Sequence, residues 1–318
     1  MSMASKVVEK QAASPACFGR HLLHPRYWHL WLFLAGFYVF SWLPLALIDV
    51  FAEALAALAY RKNKKRVHYA SVNLSLCFPD KTPAQIAAMV RRHFSYQMKS
   101  VMHYGLVWWA PKWRLRKLVQ LQGWEHIERA RAQGQQVIAL TSHSVGLEFA
   151  VSALSLQFDC SGMYKNMKNP LIDFMVARGR TRFGVRAYSR DQGLRPLIRD
   201  TRNGRVMIYL GDEDLGAQHS VFALFFGVQK ATLPVLGRLA KQCRAVVLPC
   251  ISCYDTQARR YVVRLLPPID TPSADDEQLA ALQMNRAIER TVRECVVQYF
   301  WTLRLFKTRP PGETPVYG

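Results

Sequence analysis

Short, continuously apolar runs separated by helical patterns constrain the fold of this chain more than any other feature. They fall at residues 136–142, 160–164, 185–188, 205–210, 245–253 and 261–265. Runs of this length bounded by polar or Gly-containing turns read as buried strands. Between them lie helical patterns at 170–182, 194–202 and 232–242. Upstream, Thr82-Pro83-Ala84-Gln85 is a capping box with proline at the first helical position, which predicts a helix through Ile86, Val90 and Phe94. A helix over 124–133 stops at Gly134, and a last long helix runs from Thr271-Pro272-Ser273 to about Tyr299. Alternation of this kind argues for an α/β sheet with helices on its faces. No internal repeat or long low-complexity linker interrupts residues 67–318, which read as one domain.

Residues 27–48 carry no formal charge over 22 positions, long enough for a membrane-spanning helix. Trp28, Trp31, Trp42 and Tyr27 lie towards its ends, as interfacial anchors do. An amphipathic continuation reaches Tyr60 and meets Arg61-Lys62-Asn63-Lys64-Lys65-Arg66, with five positive charges in six residues. Residues 1–66 are therefore expected to form a hydrophobic membrane-anchoring helix with basic flanks, the cluster facing the cytoplasm and anionic headgroups. The other flank is basic too (Lys6, Lys10, Arg20, Arg26), so a helix lying in the interface is the competing picture.

The net charge of +21 implies an anionic partner, whether nucleic acid, acidic protein or acidic lipid. Between residues 161 and 205 eleven Lys and Arg face three Asp, a denser basic surface than ordinary solvated faces carry. No nucleic-acid-binding motif accompanies it. The seven cysteines (Cys17 among them) come without a cleavable signal, so reduced thiols are expected. Cys250 and Cys253 form a C-x-x-C inside an expected strand, where residues three apart point to opposite faces; with no second ligand pair, metal binding is not expected there.

Of nine histidines, only His143 has an acid at the fifth following position, Glu148. His143 lies at the carboxyl end of an expected strand, where ligand sites of α/β sheets gather. A carboxylate holding one imidazole nitrogen leaves the other free to take a proton, which is the base half of a catalytic triad without its serine. The G-x-S-x-G elbow of a serine hydrolase is absent around Ser142 and Ser144. Asp212-Glu213-Asp214, bracketed by Gly211 and Gly216, also has the D-x-D spacing of metal-dependent glycosyltransferases. A metal-free role in ordering the site loop or its basic residues is the preferred reading.

These elements occur in a recognisable order. His24-Pro25-Arg26-Tyr27-Trp28 leads through Asn73-Leu-Ser-Leu-Cys-Phe-Pro79, His143-x4-Glu148, Asn169-Pro170, Arg180-x-Arg182 and Asp212-x-Asp214-x-Gly216 to Lys230-Ala-Thr-Leu-Pro234. Gln298-Tyr299-x-Trp301 and Phe306-Lys307-Thr308-Arg309-Pro310 follow. So arranged, the chain resembles the late acyltransferases of lipid A biosynthesis, the HXXXXD-type lauroyl and myristoyl transferases. The resemblance implies a glycerol-phosphate-acyltransferase-like domain with a mixed sheet, at the cytoplasmic side of the bacterial inner membrane. It implies acyl transfer from acyl carrier protein to a hydroxyl of a 3-hydroxyacyl chain on Kdo-modified lipid IVA, without cofactor or metal. Carried over, His143 is the general base and Glu148 its orienting carboxylate; Arg180, Arg182, Asp212 and Lys165 are substrate-binding candidates. Lys165 stands where one branch of the family has Arg, and Val296-Val297 replaces its Pro-Glu. Acylation of a lysophospholipid or another glycolipid is the nearest alternative, with a glycosyltransferase or a basic nucleic-acid-binding membrane protein further off.

Overall fold

The computed structural model describes residues 18–318; Lys6, Lys10 and Cys17 lie outside the described residues. The uncharged run does not form one helix. It gives α1 (Trp28–Phe40), a break, and then the start of α2 (Leu45–Lys62). Pro44, in extended conformation, is the N-cap of α2. Proline has no N–H to continue the helix from α1 and its ring clashes with the preceding turn. The 13 residues of α1 extend about 20 Å, against the ~30 Å of a bilayer core. No helix among the described residues is long and apolar enough to cross a membrane, so the expected spanning anchor is corrected to two shorter helices.

The basic cluster 61–66 bridges α2 and α3 (Lys64–Cys77), with the Asn63 side chain capping α3 by accepting from Arg66 N at 3.2 Å. The expected capping box opens α4 (Pro83–Trp109): Thr82 N donates to Gln85 Oε1 at 2.9 Å and Gln85 N to Thr82 Oγ1 at 3.3 Å. Next come α5 (Lys112–Leu118), β1 (Val119–Gln122), α6 (Glu125–Ala132) and β2 (Gln136–Thr141). The middle of the chain alternates regularly through α7 (Leu147–Ser155), β3 (Cys160–Tyr164), α8 (Pro170–Thr181), β4 (Arg186–Ser189), α9 (Arg195–Arg202) and β5 (Val206–Leu210). A hairpin of β6 (Val221–Phe225) and β7 (Val228–Thr232) turns at Phe226-Gly227, both with positive φ. Then α10 (Leu236–Cys243), β8 (Ala245–Asp255), β9 (Arg260–Leu265) and α11 (Glu277–Glu294) complete the elements. The helix expected from 232 starts four residues later, because Thr232 ends β7 and Pro234 intervenes. α11 also begins later than expected, where the Asp276 side chain accepts from Leu279 N at 2.9 Å.

Seven strands form one mixed sheet in the order β1-β9-β8-β2-β5-β3-β4. All neighbours are parallel except β8 and β9. Alternation along β2 sends Val137 and Ala139 into one core and Ile138 and Leu140 into the other. Both faces are buried, which is why the strands read as continuous apolar runs. The first core draws on α1, α2, the second half of α4, α7 and α8, with Phe149 stacked on Tyr261 at 3.6 Å. The second draws on α3, α10, α11 and the C-terminal Trp301 and Phe306. Leu34, Phe37, Ile48 and Ala52 of the N-terminal helices thus share a core with the sheet.

Cys253 and Cys295 are joined by a disulfide, tying β8 to the end of α11, which corrects the expectation of reduced thiols for this pair. Cys250 is free and buried in the first core, while Cys253 is bonded to Cys295.

Candidate active site

His143 and Asp212 meet because of strand register. β2 and β5 are parallel neighbours with Thr141 opposite Leu210, so the residues two places beyond, 143 and 212, emerge side by side at the carboxyl edge of the sheet. His143 Nδ1 lies 2.7 Å from Asp212 Oδ1, and His143 N donates to Oδ2 at 2.8 Å. Tyr299, fully buried, donates its hydroxyl to that second oxygen at 2.9 Å. Asp212 is 1% exposed while the His143 side chain remains 27% exposed. The carboxylate is enclosed and its imidazole partner reaches the surface.

Burial alone would lower the His143 pKa, but the charge and hydrogen bond of Asp212 prevail and raise it. Burial of Asp212 would raise its carboxyl, but His143 and, at a distance, Lys230 hold it below the ordinary carboxylate range. An imidazole fixed through Nδ1 on a carboxylate keeps Nε2 as a proton acceptor.

Glu148 does not hold His143. It lies in the first turn of α7 and takes Arg180 of α8 instead, accepting from Nε at 3.0 and 3.1 Å and also from Nη2. The expected His143–Glu148 dyad is therefore corrected to two pairs, His143–Asp212 and Glu148–Arg180. The physical reason is the loop 142–146 between β2 and α7, which lets the neighbouring strand end supply the nearer carboxylate. Arg180 keeps its charge firmly: burial works against it, and the Glu148 carboxylate overrides that and raises its pKa.

Arg182 is engaged by the protein itself. Its Nη1 donates to Val107 O at 2.7 Å and its Nη2 to Ala110 O at 2.8 Å, satisfying carbonyls at the C-terminus of α4. Lys165 is exposed just beyond β3 and is drawn into no ion pair among the described residues. The two aspartates of the D-x-D take separate partners. Asp214 accepts from Gly216 N at 3.0 Å, Thr308 Oγ1 at 2.8 Å and Thr308 N at 2.8 Å, fixing the C-terminal segment. The Ser142 hydroxyl is buried without a partner, and neither it nor Ser144 bonds to His143.

Sequence reasoning missed the roles of Tyr299, Thr308 and Lys230. Lys230, on β7, is fully buried near Asp212, Glu213 and Asp214; burial lowers its pKa and the three acids oppose this. The motifs containing these residues were visible, but nothing local links them to His143, which lies 87 to 165 positions upstream of them.

A family model described as bacterial lipid A biosynthesis acyltransferase matches residues 16–308. The chain belongs to this family. It is 35% identical to the lipid A biosynthesis myristoyltransferase of Escherichia coli K12, covering 94% of this chain and 93% of that one. A lipid A biosynthesis acyltransferase of Haemophilus influenzae is 33% identical over 94% and 93% of the two chains. The lauroyltransferase of the E. coli strain is 32% identical over 93% and 96%. This lipid A acyltransferase is thus an enzyme whose relatives over nearly full length differ in the acyl group they are named for.

Proposed function

We propose that this lipid A acyltransferase moves a lauroyl or myristoyl chain from acyl carrier protein to the hydroxyl of a 3-hydroxyacyl chain on Kdo-modified lipid IVA. An alkyl hydroxyl is a poor nucleophile at neutral pH, and a base must take its proton as the new bond forms. His143 Nε2 takes that proton while the hydroxyl oxygen attacks the thioester carbonyl carbon. Asp212 stabilises the imidazolium that results. The tetrahedral intermediate then expels the carrier's thiolate, which receives the proton from His143. A thioester is already activated, so no acyl-enzyme is formed. Glu148 holds Arg180 through Nε and Nη2, orienting a guanidinium whose remaining donors serve an anionic oxygen of the substrate.

The single observation that carries this reading is the buried Asp212 carboxylate gripping both the ring and the backbone of a partly exposed histidine. The dense basic surface of residues 161–205 suits an acidic carrier and a phosphorylated acceptor. No metal enters the mechanism, with Asp212 assigned to His143 and Asp214 to Thr308. In place of a spanning anchor, α1 and α2 lie on the inner membrane's cytoplasmic leaflet, where both substrates are available. The test is mass spectrometry of lipid A from cells with and without the protein, paired with purified enzyme given acyl carrier protein thioester and Kdo-modified lipid IVA. The expected result is the mass of one ester-linked chain, and its loss with His143→Ala. Acylation of lysophospholipid with lipid A unchanged would overturn the reading.

A further inference from the structure

The hydroxyl of Tyr299 stands outside the acid–base step, yet its location is tightly specified. Residues 298–300 lie antiparallel to the His143 loop: Val145 N donates to Gln298 O at 2.9 Å and Phe300 N to His143 O at 2.9 Å, flanking a bridge between Ser144 and Tyr299. Gln298 is itself locked to β8, accepting from Tyr254 N at 2.7 Å and donating to Tyr254 O at 3.0 Å. The Tyr299 ring packs edge-on to Trp301 with centroids 4.9 Å apart. So fixed, the buried hydroxyl donates to Asp212 Oδ2, the oxygen that also receives His143 N. A neutral hydroxyl in this place has a specific electrostatic effect. It draws negative charge from the carboxylate, weakening the hold of Asp212 on a protonated imidazole while keeping its geometry.

We propose that Tyr299 is a positioning residue that sets the basicity of His143 through Asp212, so that the free base is populated near neutral pH. The inference rests on His143 acting as general base. Other groups in this field are Glu213, which favours imidazolium, Arg190, which disfavours it, and Lys230 and Tyr209 beside Asp212. Cys77 and Tyr317 face Tyr299 as well. None of these replaces the phenol as a donor to Asp212 Oδ2.

The test is the pH profile of kcat for the full-length enzyme carrying Tyr299→Phe, which keeps the ring and removes only the donor. Without that donor Asp212 stabilises imidazolium more strongly, so the acid limb moves up by about one pH unit. Turnover falls about tenfold on that limb and recovers at higher pH, with KM within about twofold of wild type. A lowered Tm with the limb unmoved, or a limb moved down, would overturn the proposal. Should the phenylalanine variant fail to fold, 3-fluorotyrosine installed at position 299 provides the opposite sign. Its more acidic phenol donates more strongly and should shift the limb down; no shift overturns the proposal. His143→Ala in the same assay separates the two failures. Intact turnover there sinks the general-base reading and this inference with it, whereas lost turnover with an unmoved Tyr299→Phe limb sinks this inference alone.

Discussion

At the scale of single residues, the site pairs one carboxylate with a histidine and another with an arginine, and this pairing decides what each substitution should do. Asp212→Asn keeps the shape but removes the charge that raises the His143 pKa, so the acid limb of the pH–rate profile should move down even as kcat falls by about 10²-fold or more. Wild-type activity should be lost as pH falls through a His143 pKa lying above the ordinary 6.5, because only the neutral ring accepts a proton. Glu148→Gln should leave that limb in place. Combined with His143→Ala, Asp212→Asn should add little further loss, since supporting an absent base achieves nothing. Glu148→Gln combined with His143→Ala should instead multiply, because the Arg180 pair acts on a different part of the reaction; single-turnover rates of the three single and two double variants decide this. The ordered family blocks, more than the H-x4-E spacing itself, singled out His143 and Glu148 in the sequence, and the contact expected between them is not made. Asp212 was visible as well, yet its role depends on β2 and β5 being neighbours. That adjacency is created by chain crossovers and leaves no mark in the local sequence around either residue.

At the scale of elements, positions whose meaning depends on a neighbour behaved differently from those governed by their own residues. The Thr82–Gln85 capping box and all six apolar runs recur as structure because propensity, cap chemistry and burial on both faces are local properties. The edge strand β1 and the β6–β7 hairpin were not expected. β1 is four residues long with exposed positions, and the hairpin carries polar Gln229 and Lys230 inside its second strand. Arg182 shows the same dependence on context: in sequence it belongs to a basic segment, and in space it closes α4 across more than 70 residues. Arg182→Ala should therefore act on stability. Two hydrogen bonds from a charged donor are lost and two carbonyls are left short of partners, at a cost of about 2–4 kcal/mol. Thermal unfolding should show a Tm lowered by several degrees with KM unchanged. A raised KM at unchanged Tm would return Arg182 to substrate binding.

At the scale of the whole molecule, the N-terminal helices are part of the folded domain rather than a detachable segment. Leu34, Phe37, Ile48 and Ala52 are buried against the sheet's first core, so deleting residues 1–60 should unfold the domain and says nothing about membrane binding. The outward positions are apolar too. On α1, Trp28, Leu32 and Val39 are exposed at helical spacing, and on α2 Leu47, Val50, Phe51, Leu55 and Leu58 continue the surface. So many exposed large apolar side chains on two helices point to an interaction surface, and Arg61, Lys62, Lys64 and Lys65 follow at the junction of α2 and α3. Apolar residues beside a basic cluster suit an anionic lipid surface, the partner proposed above, with the helices expected to lie in the interface. Replacing Leu32 (78% exposed) and Val50 (67% exposed) with Asp leaves the core untouched. Each change removes an insertion of about 1.5–3 kcal/mol, so co-sedimentation with anionic vesicles should weaken at least tenfold while Tm stays constant. High salt alone should release only part of the wild-type protein, since screening acts on the basic cluster and not on buried apolar area. Full release by salt, with the Asp variants binding as wild type does, would mean that the apolar surface is covered by something other than lipid.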